Sequence, residues 1–171
     1  MHSFSFNEAQ FNRLFPFYIL INGNLQITAM GKSVSKLCNW GSERRFNQLF
    51  TIPRPHTAIH TFNDLALLHN QLIVLETTSE PPLLFRGQFE LLQDTNEILF
   101  VGSPWFGSME QVMDNKLVID DFAKHDPLVD LLHVMKSHEI TNDDLRHLVS
   151  TINKQKKELQ NFGVASVWKK L

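Results

Sequence analysis

The segment from Phe17 to Met30 constrains this chain more than any other. Phe17-Tyr18-Ile19-Leu20-Ile21 is an aromatic and β-branched run of the kind that builds a buried strand. Asn22-Gly23 follows it, the pair that most readily takes positive φ at both central positions of a two-residue turn, so a tight hairpin is predicted. The return strand over residues 25–30 alternates and sets Leu25, Ile27 and Ala29 on one face, and Gly31 ends it.

The flanks of this hairpin are helical. Residues 7–15 place Phe11, Leu14 and Phe15 on one side of a short helix, which Pro16 breaks. Beyond the hairpin, Val34, Leu37, Phe46, Leu49 and Phe50 suggest short helices around a Trp40-Gly41 break. Pro53-Arg54-Pro55 forces an extended connection, because each proline fixes its own φ and restricts the residue before it. Thr61 or Asn63 can cap a helix over residues 64–68. Leu72-Ile73-Val74-Leu75 reads as a strand, and Pro81-Pro82 marks a loop. Residues 83–92 and 97–102 read as two long strands joined by the turn-forming Gln93-Asp94-Thr95-Asn96. Two strands, several small helices and then three strands make an α+β layout.

After Pro104 the pattern changes. Met109, Val112 and Met113 suggest a helical turn. A longer helix is predicted from near Pro127, with Leu128, Leu131, Leu132 and Met135 at helical spacing. From Thr141 onward Leu145, Leu148, Ile152 and Leu159 fall on the a and d positions of a heptad, with Gln155 in one d site and charges between them. That pattern fits a short dimeric coiled coil, or a single amphipathic helix docked on its own domain. The expected organisation is a domain over residues 1–126, a C-terminal amphipathic or coiled-coil helix over 127–160, and an aperiodic tail over 161–171.

Composition narrows the function classes. A formal charge of −2 argues against broad electrostatic binding to nucleic acid or to anionic lipid. Cys38 is the single cysteine, which fits a reducing compartment and excludes an internal disulfide. No run approaches the ~20 apolar residues of a membrane span, and Met1-His2-Ser3-Phe4-Ser5-Phe6 lacks the pattern of a signal peptide. A cytoplasmic location is expected.

The polar residues complete no recognisable catalytic motif. Trp40-Gly41-Ser42 and Phe106-Gly107-Ser108 lack the second glycine of a nucleophile elbow, and no glycine sits in a nucleotide-binding fingerprint. His56 and His60 share ligand-like spacing but follow Pro55 in a loop, without a useful Glu or Cys beside them. His133 and His138 point to different sides of a helix, and His147 lies among charges. Cys38 lacks the flanking residues of a flavin-reactive cysteine. His125-Asp126 are adjacent, which seldom aligns a base with its orienting carboxylate. No enzymatic site, cofactor or metal is expected from these residues.

A family resemblance spans residues 11–159. Phe15-Pro16-Phe17-Tyr18 resembles an opening motif, though animal members usually carry His where Tyr18 stands. Phe50-Thr51-Ile52-Pro53-Arg54-Pro55, Leu84-Phe85-Arg86-Gly87-Gln88 and Ile98-Leu99-Phe100-Val101-Gly102-Ser103-Pro104 follow in order. Residues 117–121 and His125-Asp126 with Asp130-Leu131 complete the series. Together they resemble the PAS-like domain associated with haem–nitric-oxide-binding modules (H-NOX), often called H-NOXA. That family is found in soluble guanylate cyclases and bacterial signalling histidine kinases, and the short insert before Leu84 is similar to bacterial members. The resemblance implies a PAS-like five-stranded antiparallel sheet with small helices on one face. It also implies dimer contacts and relay of a signal from an H-NOX-type sensor toward a kinase or cyclase output.

Beside the resemblance, Asp120, Asp121, His125 and Asp126 form a polar junction between sheet and outgoing helix. They are either ordinary caps and turns or the joint that carries sheet motion to the helix. The leading expectation is a non-catalytic homodimer, joined through Leu145, Leu148, Ile152 and Leu159, through N-terminal aromatics including Phe4, Phe6, Phe11 and Phe15, or through both. The competing expectation is a sensor enclosing a small apolar ligand or cofactor among Phe17, Ile19, Phe62, Leu65, Leu75, Phe89 and Phe100.

Overall fold

A computed structural model of the chain describes residues 5–38 and 44–168, with side chains described through residue 160. Phe4 and the expected Trp40-Gly41 break lie outside the described residues. The chain divides into two compact units, Met1–Val129 and Asp130–Leu171.

The first unit is built on a six-stranded sheet in the order β2-β1-β6-β5-β4-β3, with every neighbouring pair antiparallel. Its strands are β1 (Tyr18–Asn22), β2 (Ile27–Met30), β3 (Phe50–Arg54), β4 (Ile73–Thr77), β5 (Leu84–Leu92) and β6 (Glu97–Pro104). Helix α1 (Glu8–Leu14) precedes the sheet. Helices α2 (Lys32–Leu37), α3 (Phe46–Leu49) and α4 (Phe62–Ala66) lie between β2 and β4, and α5 (Met109–Asp114) follows β6. The α+β class and the antiparallel sheet follow the sequence expectation.

The sheet has one strand more than the expected five. Pro53 and Arg54, read as part of an extended connection, close β3, an edge strand paired with β4 that begins at Phe50, a residue read with the short helices. Its ladder skips from Thr51 to Arg54, so the missing N–H of Pro53 falls in the irregularity and costs no pairing.

The first hairpin also differs in detail. Gly23 does not take positive φ; Leu25 does, at 60°. The loop is held by Asn22, whose Oδ1 accepts from the N–H groups of Asn24 and Gln26, each at 3.0 Å. Its carbonyl accepts from Leu25 N–H at 2.9 Å. Leu25 tolerates the left-handed conformation because its side chain is buried and its carbonyl accepts from Phe46 N–H at 2.8 Å. Tertiary contacts therefore override the two-residue turn that Asn-Gly favours locally.

One sheet face forms the core. Phe17, Ile19, Ile21, Ile73, Leu75, Phe85, Phe89, Ile98 and Phe100 are all at most 1% exposed. Helices supply Val34, Phe46 and Leu65, also fully buried. Phe89 and Phe100 are cross-strand partners, with ring centroids 5.5 Å apart, and Phe46 meets Phe89 edge-on at 6.1 Å. Two glycines make room for this. Gly87 and Gly102 pair across β5 and β6, and the Phe100 ring lies over them. A methyl on Gly87 would sit 2.7 Å from that ring and 2.2 Å from the Val101 carbonyl oxygen. The costly strand glycines are thus required by close packing.

The helix termini are set by side chains. Asn7 and Gln10 form a reciprocal cap at the start of α1. Thr61, one of the two expected caps, accepts from Asp64 N–H, and the Asp64 carboxylate accepts from the N–H groups of His60 and Thr61. Those backbone bonds hold the Asp64 carboxyl below the usual carboxylate range.

Helix α6 (Leu128–Trp168), 41 residues long, begins immediately after Pro127 at the end of the first unit and makes up the second from Asp130 onward. It extends through most of the stretch expected as an aperiodic tail.

Candidate functional site

Asp126 stands at the end of the sheet unit, just ahead of α6. One carboxylate oxygen accepts from the Ser103 hydroxyl of β6 at 2.5 Å, and the other accepts from Leu128 N–H at 3.0 Å. Its own N–H donates to the Ala123 carbonyl at 2.9 Å. A single carboxylate therefore joins a core strand to the first residue of the long helix, satisfying a donor that a helix start leaves open. Hydrogen bonds to an ionised acceptor are stronger than neutral ones, so this is a firm link.

Asp121 forms a second link. Its carboxylate meets Lys36 Nζ of α2 at 2.5 Å and accepts from Val118 N–H at 2.9 Å. Its carbonyl accepts from the Ser33 hydroxyl at 2.6 Å. The other two expected junction residues are less engaged. Asp120 pairs with Lys124 at 2.6 Å on the open surface, and that cation holds its carboxyl low. A pair so exposed contributes little to stability. His125 is exposed, with its ring edge-on to Phe15 at 6.3 Å between centroids.

That contact joins two parts of the expectation. Phe15 ends α1, and Phe11, Phe15 and Tyr18 form an aromatic cluster with centroids 5.0 and 5.1 Å apart. Phe11 and Phe15 are half-buried inside the unit, while Phe6 remains exposed. Burial pushes the Tyr18 hydroxyl above its ordinary pKa, with Glu8 adding to the rise and the Asn12 hydrogen bond opposing it. Beside Phe15 a shallow cavity of about 250 Å³ opens, lined by Arg86, Val101, Ser103, His125 and Asp126 among others. Arg86 lies directly across from Ser103 in the β5–β6 ladder.

Ser33 and Lys36 had no signal of function in the sequence, and Ser103 stood out only as part of the motif that ends at Pro104. Ser33 and Asp121 are 88 residues apart, so only the folded chain brings them together. The expected junction was recognisable by its run of carboxylates, but not by the partners that divide them into linking and surface residues.

The other expected site residues lie on α6. Leu145, Leu148, Ile152 and Leu159 are 55%, 57%, 55% and 72% exposed. Leu131, Val134, Met135 and Val149 are exposed as well. An apolar stripe therefore runs along this helix without cover from the described residues.

Elsewhere the chemistry is quiet. Burial pushes the Cys38 thiol up to about 12, which keeps it protonated and unreactive near neutral pH. His56 and His60 line a groove of about 480 Å³ beside Glu76 and β3. Among the described residues no three His, Cys, Asp or Glu side chains are grouped to hold a metal ion. Among them, too, no helix is long and apolar enough to cross a membrane.

The family described as heme NO binding associated matches residues 4–82 and 77–163. A soluble guanylate cyclase of Caenorhabditis elegans, gcy-37, is 24% identical over 173 residues, covering 90% of this chain and 24% of its own length. The head-specific guanylate cyclase of Drosophila melanogaster is 24% identical over 177 residues, covering 96% of this chain and 26% of its own. The human guanylate cyclase soluble subunit alpha-2 is 25% identical over 134 residues, covering 72% and 18%. The chain thus spans about a quarter of the length of the first two relatives. With matched segments that reach from the first aromatic residues to the far part of α6, this chain belongs to the heme-NO-binding-associated family of signalling domains.

Proposed function

We propose that this domain is a non-catalytic regulatory module that dimerises through α6 and relays conformational change between its sheet and that helix. The exposed stripe of Leu145, Leu148, Ile152 and Leu159 carries the proposal. Isolated helices gain most of their stability by burying such a face, and a heptad stripe fits a second helix better than a broad core. Charge selects the pairing. With Leu145 at position a, the g row holds Asp130, Ser137, Asp144, Thr151 and Glu158. Antiparallel helices would set this row, three acids and no base, against itself. Parallel helices set it against Met135, Asn142, Val149 and Lys156, with no like-charge pair.

Asp126 supplies the joint, since its carboxylate holds both β6 and the start of α6. Input from a haem–nitric-oxide-binding sensor and output to a nucleotide cyclase or histidine kinase fit the family and the guanylate cyclases it resembles. A cytoplasmic location accords with that role. Light scattering at micromolar concentration tests the pairing: a dimer mass is expected, and a strictly monomeric chain would remove the mechanism.

A further inference from the structure

We infer that His138 makes the pairing of α6 pH-sensitive, so that the dimer loosens as the solution is acidified through the titration range of histidine. The inference rests on the parallel pairing proposed above. Counting heptads from Leu145 puts Leu131, His138, Leu145, Ile152 and Leu159 at a, and Val134, Thr141, Leu148 and Gln155 at d. His138 and Thr141 thus form a polar gap between two apolar segments of one seam. The remaining helix histidines, His133 and His147, fall at c positions, away from it.

In a parallel pair the a position faces its own copy. His138 would meet the partner copy's His138, packed among that copy's Val134, Ser137 and Thr141. None of those groups carries a charge. On its own helix the flanking g and e residues are Ser137 and Asn142, which are also uncharged. The nearest charges, Lys136 and Glu139, sit at f and b and pair with each other at 3.2 Å. Asp143 and Asp144 lie more than a turn further on, with Asp143 at f. The Thr141 hydroxyl donates to the Ser137 carbonyl at 2.9 Å. No carboxylate therefore stands ready to offset a proton on either imidazole. In the single chain His138 is exposed to solvent.

Linkage fixes the sign. An ordinary imidazole titrates near ~6.5. Neutral rings are accommodated at the seam, whereas two imidazolium ions a few ångströms apart repel. Binding of protons then favours the separated chains.

Sedimentation equilibrium at pH 8.0 and pH 5.5 tests this on the full chain, with circular dichroism reporting that the fold is intact at both. The association constant is expected to fall about tenfold or more on acidification. His138→Leu should associate more tightly and lose the pH dependence, while His133→Gln and His147→Gln should keep it. A wild-type dimer with the same constant at both pH values would overturn the role of His138 and leave the pairing standing. The same holds if His138→Leu keeps the full pH dependence. A chain that is monomeric even at pH 8.0 would overturn the pairing itself.

Discussion

Phe100 and Leu148 are both large apolar residues on regular secondary structure, yet Phe100 is 0% exposed and Leu148 57%. Phe100 is enclosed by its own unit, over two glycines and against Phe89. Leu148 belongs to a stripe that no described residue covers. The contrast separates two tasks within one chain. The sheet unit folds around a complete core, whereas the helix presents the kind of face that ordinarily lies inside a protein. A residue buried within its own unit speaks to stability, and one left open in register speaks to association.

Substitutions can break this contrast in order of size. The largest loss is expected for Phe100→Ala, which removes a central core ring and leaves a cavity. About 3–5 kcal/mol of folding stability should be lost, seen as a much lower melting temperature or outright unfolding. Gly102→Ala should follow at roughly 1–3 kcal/mol, because the added methyl would lie 2.5 Å from the Arg86 carbonyl oxygen and 2.8 Å from the Phe100 ring. A well-tolerated alanine there would contradict the reading of the glycine pair. Asp126→Ala removes two charge-assisted hydrogen bonds at the joint and should cost about 1–3 kcal/mol in denaturant unfolding. Ser103→Ala, which removes only one of them, should cost less.

These expectations also mark what the sequence could carry. Alternation and turn residues located five strands, because period-two patterning is a local signal. β3 was hidden because Pro53 and Pro55 argue against a strand, and only the gap in its ladder with β4 reconciles them. The left-handed residue of the first hairpin was assigned to Asn22-Gly23 by local preference. Leu25 takes that conformation through a hydrogen bond from Phe46, which no window around the turn contains. The junction shows the same division. Four polar residues stood out in the sequence, but the linking role falls to Asp121 and Asp126 through Lys36, Ser33 and Ser103. On α6 the helix itself was legible because its periodic residues lie a few positions apart on one element.

The smallest effect on the sheet and the most telling effect on the helix come from one variant. Leu148→Ala combined with Ile152→Ala leaves the Phe100 core untouched, so the melting of the first unit should stay as in the wild type. Sedimentation equilibrium of the same variant should show a large loss of association, since each truncated residue is repeated in both chains of a symmetric pair. Core Leu and Ile truncations typically cost about 2–5 kcal/mol, enough to turn a micromolar dimer into a monomer. A double variant that associates with an unchanged constant would contradict pairing through α6, and with it the relay proposed for this domain.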